Sequence, residues 1–352
     1  MRKPLTIVGG IAFALVVLGL TAFMQQRGAA NKPDQSRALA SVLSQQYDLK
    51  AKYEKGQKRY YRMWMTLEQF DPWGNTLIRL QWRGDFERLV ESVDAAGKAA
   101  EKITFKSVGF RIWDPAKGKY GPHQELPWAD NFSYKFSAED AYDDINWNYD
   151  KIPKSPQGVG FRAGFQVSAH YEFDFMRSSR HAAIEKLGHV GQLLPHPPEE
   201  GQEFSLGFPE LMENSRLKRE NVEVGFLGLT QVAGEPCAII DYRQGPQSFS
   251  WDTKGGAHPA FASAKDVTGW HTEMKSWQDG KFVVRVKDGS MVYGEFTERT
   301  MSKLTPQPSG APAPANGRGI WSIREITAGD FANGLKDWEQ EVTAIPNFRP
   351  AP

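Results

Sequence analysis

Fifteen consecutive residues, Phe161 to Phe175, alternate strictly between apolar and polar side chains: Phe161, Ala163, Phe165, Val167, Ala169, Tyr171, Phe173 and Phe175 fall at odd positions, with Arg162, Gln166, Ser168, His170, Glu172 and Asp174 between them. A strand places successive side chains on opposite faces, so this run predicts one apolar and one polar face. At about 3.3 Å per residue it would reach roughly 50 Å, longer than the usual strand of about 3–10 residues. Strands of that length belong to strongly curved antiparallel sheets. A parallel α/β core would instead show continuous apolar runs, because its strands are buried on both faces.

Other segments share this texture. Residues 59–70 are aromatic-rich and end at the turn 71–75, with 76–82 as the hairpin partner. Residues 103–113 read as a strand, and 114–130, with five prolines and glycines, as a loop. Residues 221–232 and 236–243 form a hairpin around Ala233-Gly234-Glu235. A meander over 270–299 is expected to turn at Asp279-Gly280 and at Asp288-Gly289, since Asp-Gly is favoured in tight hairpins. Helices are predicted over about 35–55, over a segment capped by Asp85 and carrying Phe86, Leu89, Val90 and Val93, over 178–192, and over 329–344 with Phe331, Leu335, Trp338 and Val342 as its stripe.

The expected fold class is therefore α+β: mostly antiparallel, strongly curved β-sheet with a few packing helices, preceded by a single N-terminal transmembrane helix. That helix is the run Leu5–Met24, twenty uncharged residues behind Arg2 and Lys3. Twenty helical residues span about 30 Å, the thickness of a bilayer's hydrocarbon core. Gly28-Ala29-Ala30 would suit a signal peptidase, but the run is longer than a cleavable signal's apolar core, which favours an uncleaved anchor. Charges flank it on both sides. A short tail before a long soluble portion favours translocation of residues 25–352, placing them outside the cytoplasm in the periplasm or at the cell surface. The organisation expected is an anchor and tether (1–30), a juxtamembrane helix (31–57), a first β-rich domain (58–195), and a second β-rich domain (201–304). A Pro/Gly/Ala-rich linker (305–319) and a C-terminal strand and helix (320–352) complete it.

Chemistry is harder to find. Lys+Arg 43 against Asp+Glu 42 leaves no basic excess, which argues against nucleic acid as a partner. The single cysteine, Cys237, excludes an intrachain disulfide and any multi-cysteine metal site, and reads as a small buried hydrophobe. His181, Glu185 and His189 fall at i, i+4 and i+8 of a predicted helix, but about 12 Å separates the ends, so at most two could share an ion. Asp144, Asn146, Asn148 and Asp150 resemble the start of a calcium loop, but Tyr149 stands where glycine is required and Ser155 where the bidentate glutamate belongs. Glu139, Asp140, Asp143 and Asp144 form an acidic run read as solvated surface. The eleven tryptophans read as core. No catalytic, cofactor or metal residue is assigned, and no cofactor is expected.

An anchor followed by curved sheet resembles, in architecture alone, extracytoplasmic carriers of the LolA or lipocalin kind, which implies a sheet able to hold an apolar ligand. The residues point to a non-catalytic, membrane-anchored binding or accessory subunit with a protein partner in a cell-envelope assembly. The alternatives are a carrier or sensor of a lipid-like ligand, held by Phe161, Phe165, Tyr171 and Phe173, and an envelope hydrolase.

Overall fold

The computed structural model describes residues 49, 51–71, 73–136, 142–146, 190–194, 212–218, 222–254, 261 and 266–334. Among the described residues, fourteen strands form one sheet in which every pairing is antiparallel and which is not closed. The strands are β1 (Lys58–Phe70), β2 (Thr76–Val93), β3 (Ala99–Asp114), β4 (Lys119–Tyr120), β5 (Gln124–Glu125), β6 (Ser133–Phe136), β7 (Tyr142–Asn146), β8 (Val190–Leu194), β9 (Met212–Lys218), β10 (Val222–Val232), β11 (Glu235–Lys254), β12 (Gly269–Arg285), β13 (Met291–Gln307) and β14 (Ala313–Ile326). Across the sheet the order is β7-β6-β3-β2-β1-β14-β13-β12-β11-β10-β8; β4 and β5 add to β3, and β9 to β11. β1 pairs with β14, from Tyr60 opposite Ile326 to Phe70 opposite Asn316, so strands from both halves of the chain share the sheet. The helices among the described residues are a 3-10 turn at Pro127–Ala129 and α1 (Ala328–Asn333). None is long and apolar enough to cross a membrane.

Alternation builds the core as expected. Tyr61, Met63 and Met65 of β1 lie beside Trp82 and Phe86 of β2, Ile103, Phe105 and Phe110 of β3, and Trp321 and Ile323 of β14; all are buried. Phe86 and Phe105 lie 5.5 Å apart, and Phe296 stacks on Trp321 at 4.7 Å. Along β12 the same face changes character. Val284 and Phe282 are apolar, whereas Gln278, Ser276 and Thr272 are polar yet buried, alongside Gln247 and Glu298. α1, held by a capping box between Thr327 and Asp330, covers the other face of β1–β3. There Phe331 meets Tyr60 at 4.8 Å and Lys106 sits 5.2 Å over the Phe331 ring.

Several expectations are corrected. The segment from Asp85 to Val93 is not helical but the second half of β2. Its apolar residues fit a helix stripe, but Phe86 and Val90 also share a parity with Trp82, and pairing with β1 and β3 decides in favour of the strand. Asp279-Gly280 is not a turn: β12 runs straight through it, with Tyr242 and Phe296 opposite Gly280. A Cβ at Gly280 would overlap the Glu295 carbonyl and Phe296 Cα, so the glycine serves close approach of two backbones. Asp288-Gly289, with Gly289 at φ +64°, makes the expected turn. Residues 305–319 are not a linker: β13 continues to Gln307, and β14 begins at Ala313. Pro306 lies beyond the β14 pairing and Pro314 beyond the β1 pairing, so each needs no N–H on one side. The predicted helix 35–55 does not include 51–54, which are irregular, and 190–192 of the predicted helix 178–192 belong to β8. The predicted strand 161–175, residues 35–48, 50, 178–189 and 335–344, and the N-terminal span lie outside the described residues.

Candidate functional site

At the β12–β13 end of the sheet, five charged side chains alternate in sign. Arg59 meets Asp288 at 2.8 Å and Glu325 at 3.0 Å, and Arg285 meets Glu325 at 2.6 Å and also Glu235. Ser290 ties in by donating its Oγ proton to Asp288 at 2.6 Å. Burial opposes the charge of Asp288, but hydrogen bonds from Ser290 and the nearby Arg59 hold its carboxyl below the usual range. Burial likewise opposes the charge of Arg285, and its two glutamate partners more than offset it. Beside this chain the buried Arg88 pairs with Glu101 at 2.6 Å and donates to the Tyr53 hydroxyl at 3.2 Å. The cavity between the two groups is about 10 Å³, room for a single water. Each of the converging carboxylates has an arginine partner, and the cluster pins the 286–290 turn to β1, β11 and β14.

Cys237 is buried on β11, its Sγ 3.5 Å from the Glu235 carbonyl, and burial pushes its thiol up. A raised thiol is the opposite of an activated nucleophile. Of the predicted acidic run, Asp143 and Asp144 lie on β7, as does Asn146. Glu139, Asp140, Asn148, Asp150, His181, Glu185 and His189 lie outside the described residues, among which no group of His, Cys, Asp or Glu is arranged to hold a metal.

The larger concavity is on the face of β11–β14 opposite the core. Asp241, Arg243, Asp279, Lys281, Glu295, Thr297, Arg299, Arg318 and Ile320 surround a trough of about 630 Å³, floored by backbone at Gly280 and Phe296. Register places these side chains in rows. Asp241, Lys281 and Glu295 face one another across three strands; Arg243, Asp279, Thr297 and Ile320 form the next row; Arg299 faces Arg318 in the third. Arg243 pairs with Asp241 at 2.9 Å and Arg299 with Asp279 at 3.5 Å. Among the described residues neither Lys281 nor Arg318 has an ion-pair partner. The trough offers charged and hydrogen-bonding groups to a ligand from solvent.

Reading Asp279-Gly280 as a turn hid this surface. The available signal was parity. His271, Glu273, Lys275, Asp279 and Lys281 are all odd, and a two-residue turn at 279–280 would have put Lys281 on the face of Gln278. Its continuation through the Asp-Gly pair marks one strand with one charged face.

No family model matches the chain, and no curated protein is similar to it. Among solved structures, a match is the in-vitro folded trimer form of OmpT, an outer membrane protein of Vibrio cholerae. It is 11% identical, covering 78% of this chain and 100% of that one, with a TM-score of 0.15, too low to support an argument about fold or function.

Proposed function

We propose that this chain is a non-catalytic binding or accessory subunit of a cell-envelope assembly, anchored by residues 5–24 with its sheet outside the cytoplasm. One observation carries the reading: among the described residues the core face is filled, while the large concavity is an open trough of mixed charge. A carrier of apolar ligands needs an apolar void of several hundred cubic ångströms. Among the described residues that space is taken by Trp321, Tyr61, Phe86, Phe105 and Phe282, all fully buried. An exposed face with charges in register suits a protein partner, whose orientation such charges fix. The apolar run Leu5–Met24 supports the membrane attachment.

The test is mild detergent extraction of the full chain from its native membrane, with intact mass and identification of what co-purifies. The expected result is a chain retaining residues 1–30 with a protein partner in fixed ratio. A chain that purifies without any protein partner, carries one lipid per molecule, or begins at Asn31 would overturn the corresponding part of the reading.

A further inference from the structure

The geometry points to the Arg299–Arg318 pair as the docking point for an acidic segment of a partner protein, one that presents carboxylates beside apolar side chains; this rests on the subunit reading above. Like charges directly opposite across two strands destabilise a sheet, because their Cβ atoms lie only about 5 Å apart. Arg299 and Arg318 are opposite on β13 and β14, both exposed, and the fold does little to relieve them. Across the next strand Arg318 faces Glu68, but Glu68 is held by Arg79 at 2.7 Å. Arg299 reaches only Asp279, at 3.5 Å, with the side chains 68% and 53% exposed. At the other side of the trough Arg243 is paired with Asp241 and Lys281 stands between Asp241 and Glu295, so the positive charge is concentrated at Arg299 and Arg318.

Two exposed apolar side chains flank the pair. Met301, 61% exposed, follows Arg299 by two residues on β13, and Ile320, 39% exposed, follows Arg318 by two on β14. Alternation puts all four on one face, with the apolar residues at diagonal corners around the arginines. Arginine and methionine are enriched in protein interfaces, and a guanidinium forks onto a carboxylate through two parallel hydrogen bonds. A small inorganic anion would favour an enclosed nest of backbone N–H groups. This site is instead an open surface two strands wide and about 13 Å long from Thr297 to Met301. Its size and its apolar corners select a peptide-like partner with negative charge.

The full chain in detergent tests this with a fluorescent ten-residue peptide of alternating glutamate and leucine, at low salt. Binding should weaken at least tenfold in the double variant Arg299→Gln/Arg318→Gln and stay within twofold in Lys102→Gln, on β3. A lysine–leucine peptide should not bind, and inorganic phosphate at equal charge should not displace the probe. An unchanged affinity in the double variant, or displacement by phosphate, overturns the proposal. Both arginines are exposed, so the variants should fold, which an unchanged or raised melting temperature verifies. In native membranes, a photo-crosslinking amino acid at position 301 should attach to an acidic stretch of a protein, and a lipid adduct would refute it. If a partner co-purifies but crosslinks only elsewhere, this surface fails and the subunit reading stands. If none co-purifies while the peptide binds as expected, the subunit reading fails and the arginine site stands.

Discussion

Replacing Asp85 by Asn separates the strand found at this position from the helix its neighbourhood suggests. In the structure Asp85 and Arg62 are paired across β1 and β2, with Nε to Oδ1 at 2.7 Å and Nη2 to Oδ2 at 2.8 Å, and their side chains are 1% and 3% exposed. α1 closes over the pair, and Asp330 accepts from Arg62 through its carbonyl at 3.4 Å. Asn is nearly isosteric with Asp but neutral, and its amide would turn donors toward a guanidinium that has only donors. Removing one member of a buried pair leaves an uncompensated charge and costs about 3–5 kcal/mol. An Asp capping a helix would behave differently, since Asn caps about as well and the change would cost only a few tenths of a kcal/mol. At the roughly 2–4 °C per kcal/mol typical of domains of about 150–250 residues, the larger cost corresponds to a drop of at least about 6 °C in melting temperature. Tryptophan fluorescence on heating reads this directly, because Trp64, Trp82 and Trp321 are buried in the same sheet. The double variant Arg62→Met/Asp85→Leu should recover most of the loss, since apolar residues of similar volume often replace a buried pair at little cost. A shift under 1 °C for Asp85→Asn, or one no larger than that of Glu273→Gln in the exposed Lys303–Glu273 pair, would refute the reasoning.

Three further outcomes are expected. Gly280→Ala should destabilise by about 2 kcal/mol: overpacking costs about 1–3 kcal/mol and sits at the upper end here because it meets backbone, while alanine's advantage in a strand offsets about 0.5–1 kcal/mol. Asp279→Thr in the same strand should be neutral or mildly stabilising in urea titrations, whereas in a tight turn it would be costly. Asp288→Asn should destabilise at neutral pH, and its gap from the parent should close as pH falls. A carboxyl whose folded pKa lies below its unfolded value contributes stability above about pH 4, and that stability is lost as pH falls through the folded pKa. Melting temperatures of the two proteins measured from pH 7 to pH 3 should therefore converge, and a constant gap would contradict the ion-pair assignment.

Local pattern alone was enough for the antiparallel strand texture, the hairpins at 71–75, 233–234 and 286–290, and the burial of Cys237. Each depends on a period of two or on turn chemistry, and both are properties of a few neighbouring residues. The sequence could not say that β1 closes against β14, because nothing local records which strand lies beside which. The pairing of each strand with its neighbours, β1 with β2 and β14 and β13 with β14, decides the rest. It turns 305–319 from a Pro-rich stretch into a hairpin, by giving Pro306 and Pro314 positions with an unneeded N–H. It places Arg62 opposite Asp85 and sets Arg299 beside Arg318. Asp279-Gly280 shows the limit most directly: the dipeptide favours a turn by itself, but the contact of Gly280 with Phe296 keeps the chain extended. The hydrogen bonds and packing along a 17-residue strand outweigh a two-residue preference, and only the folded sheet supplies them.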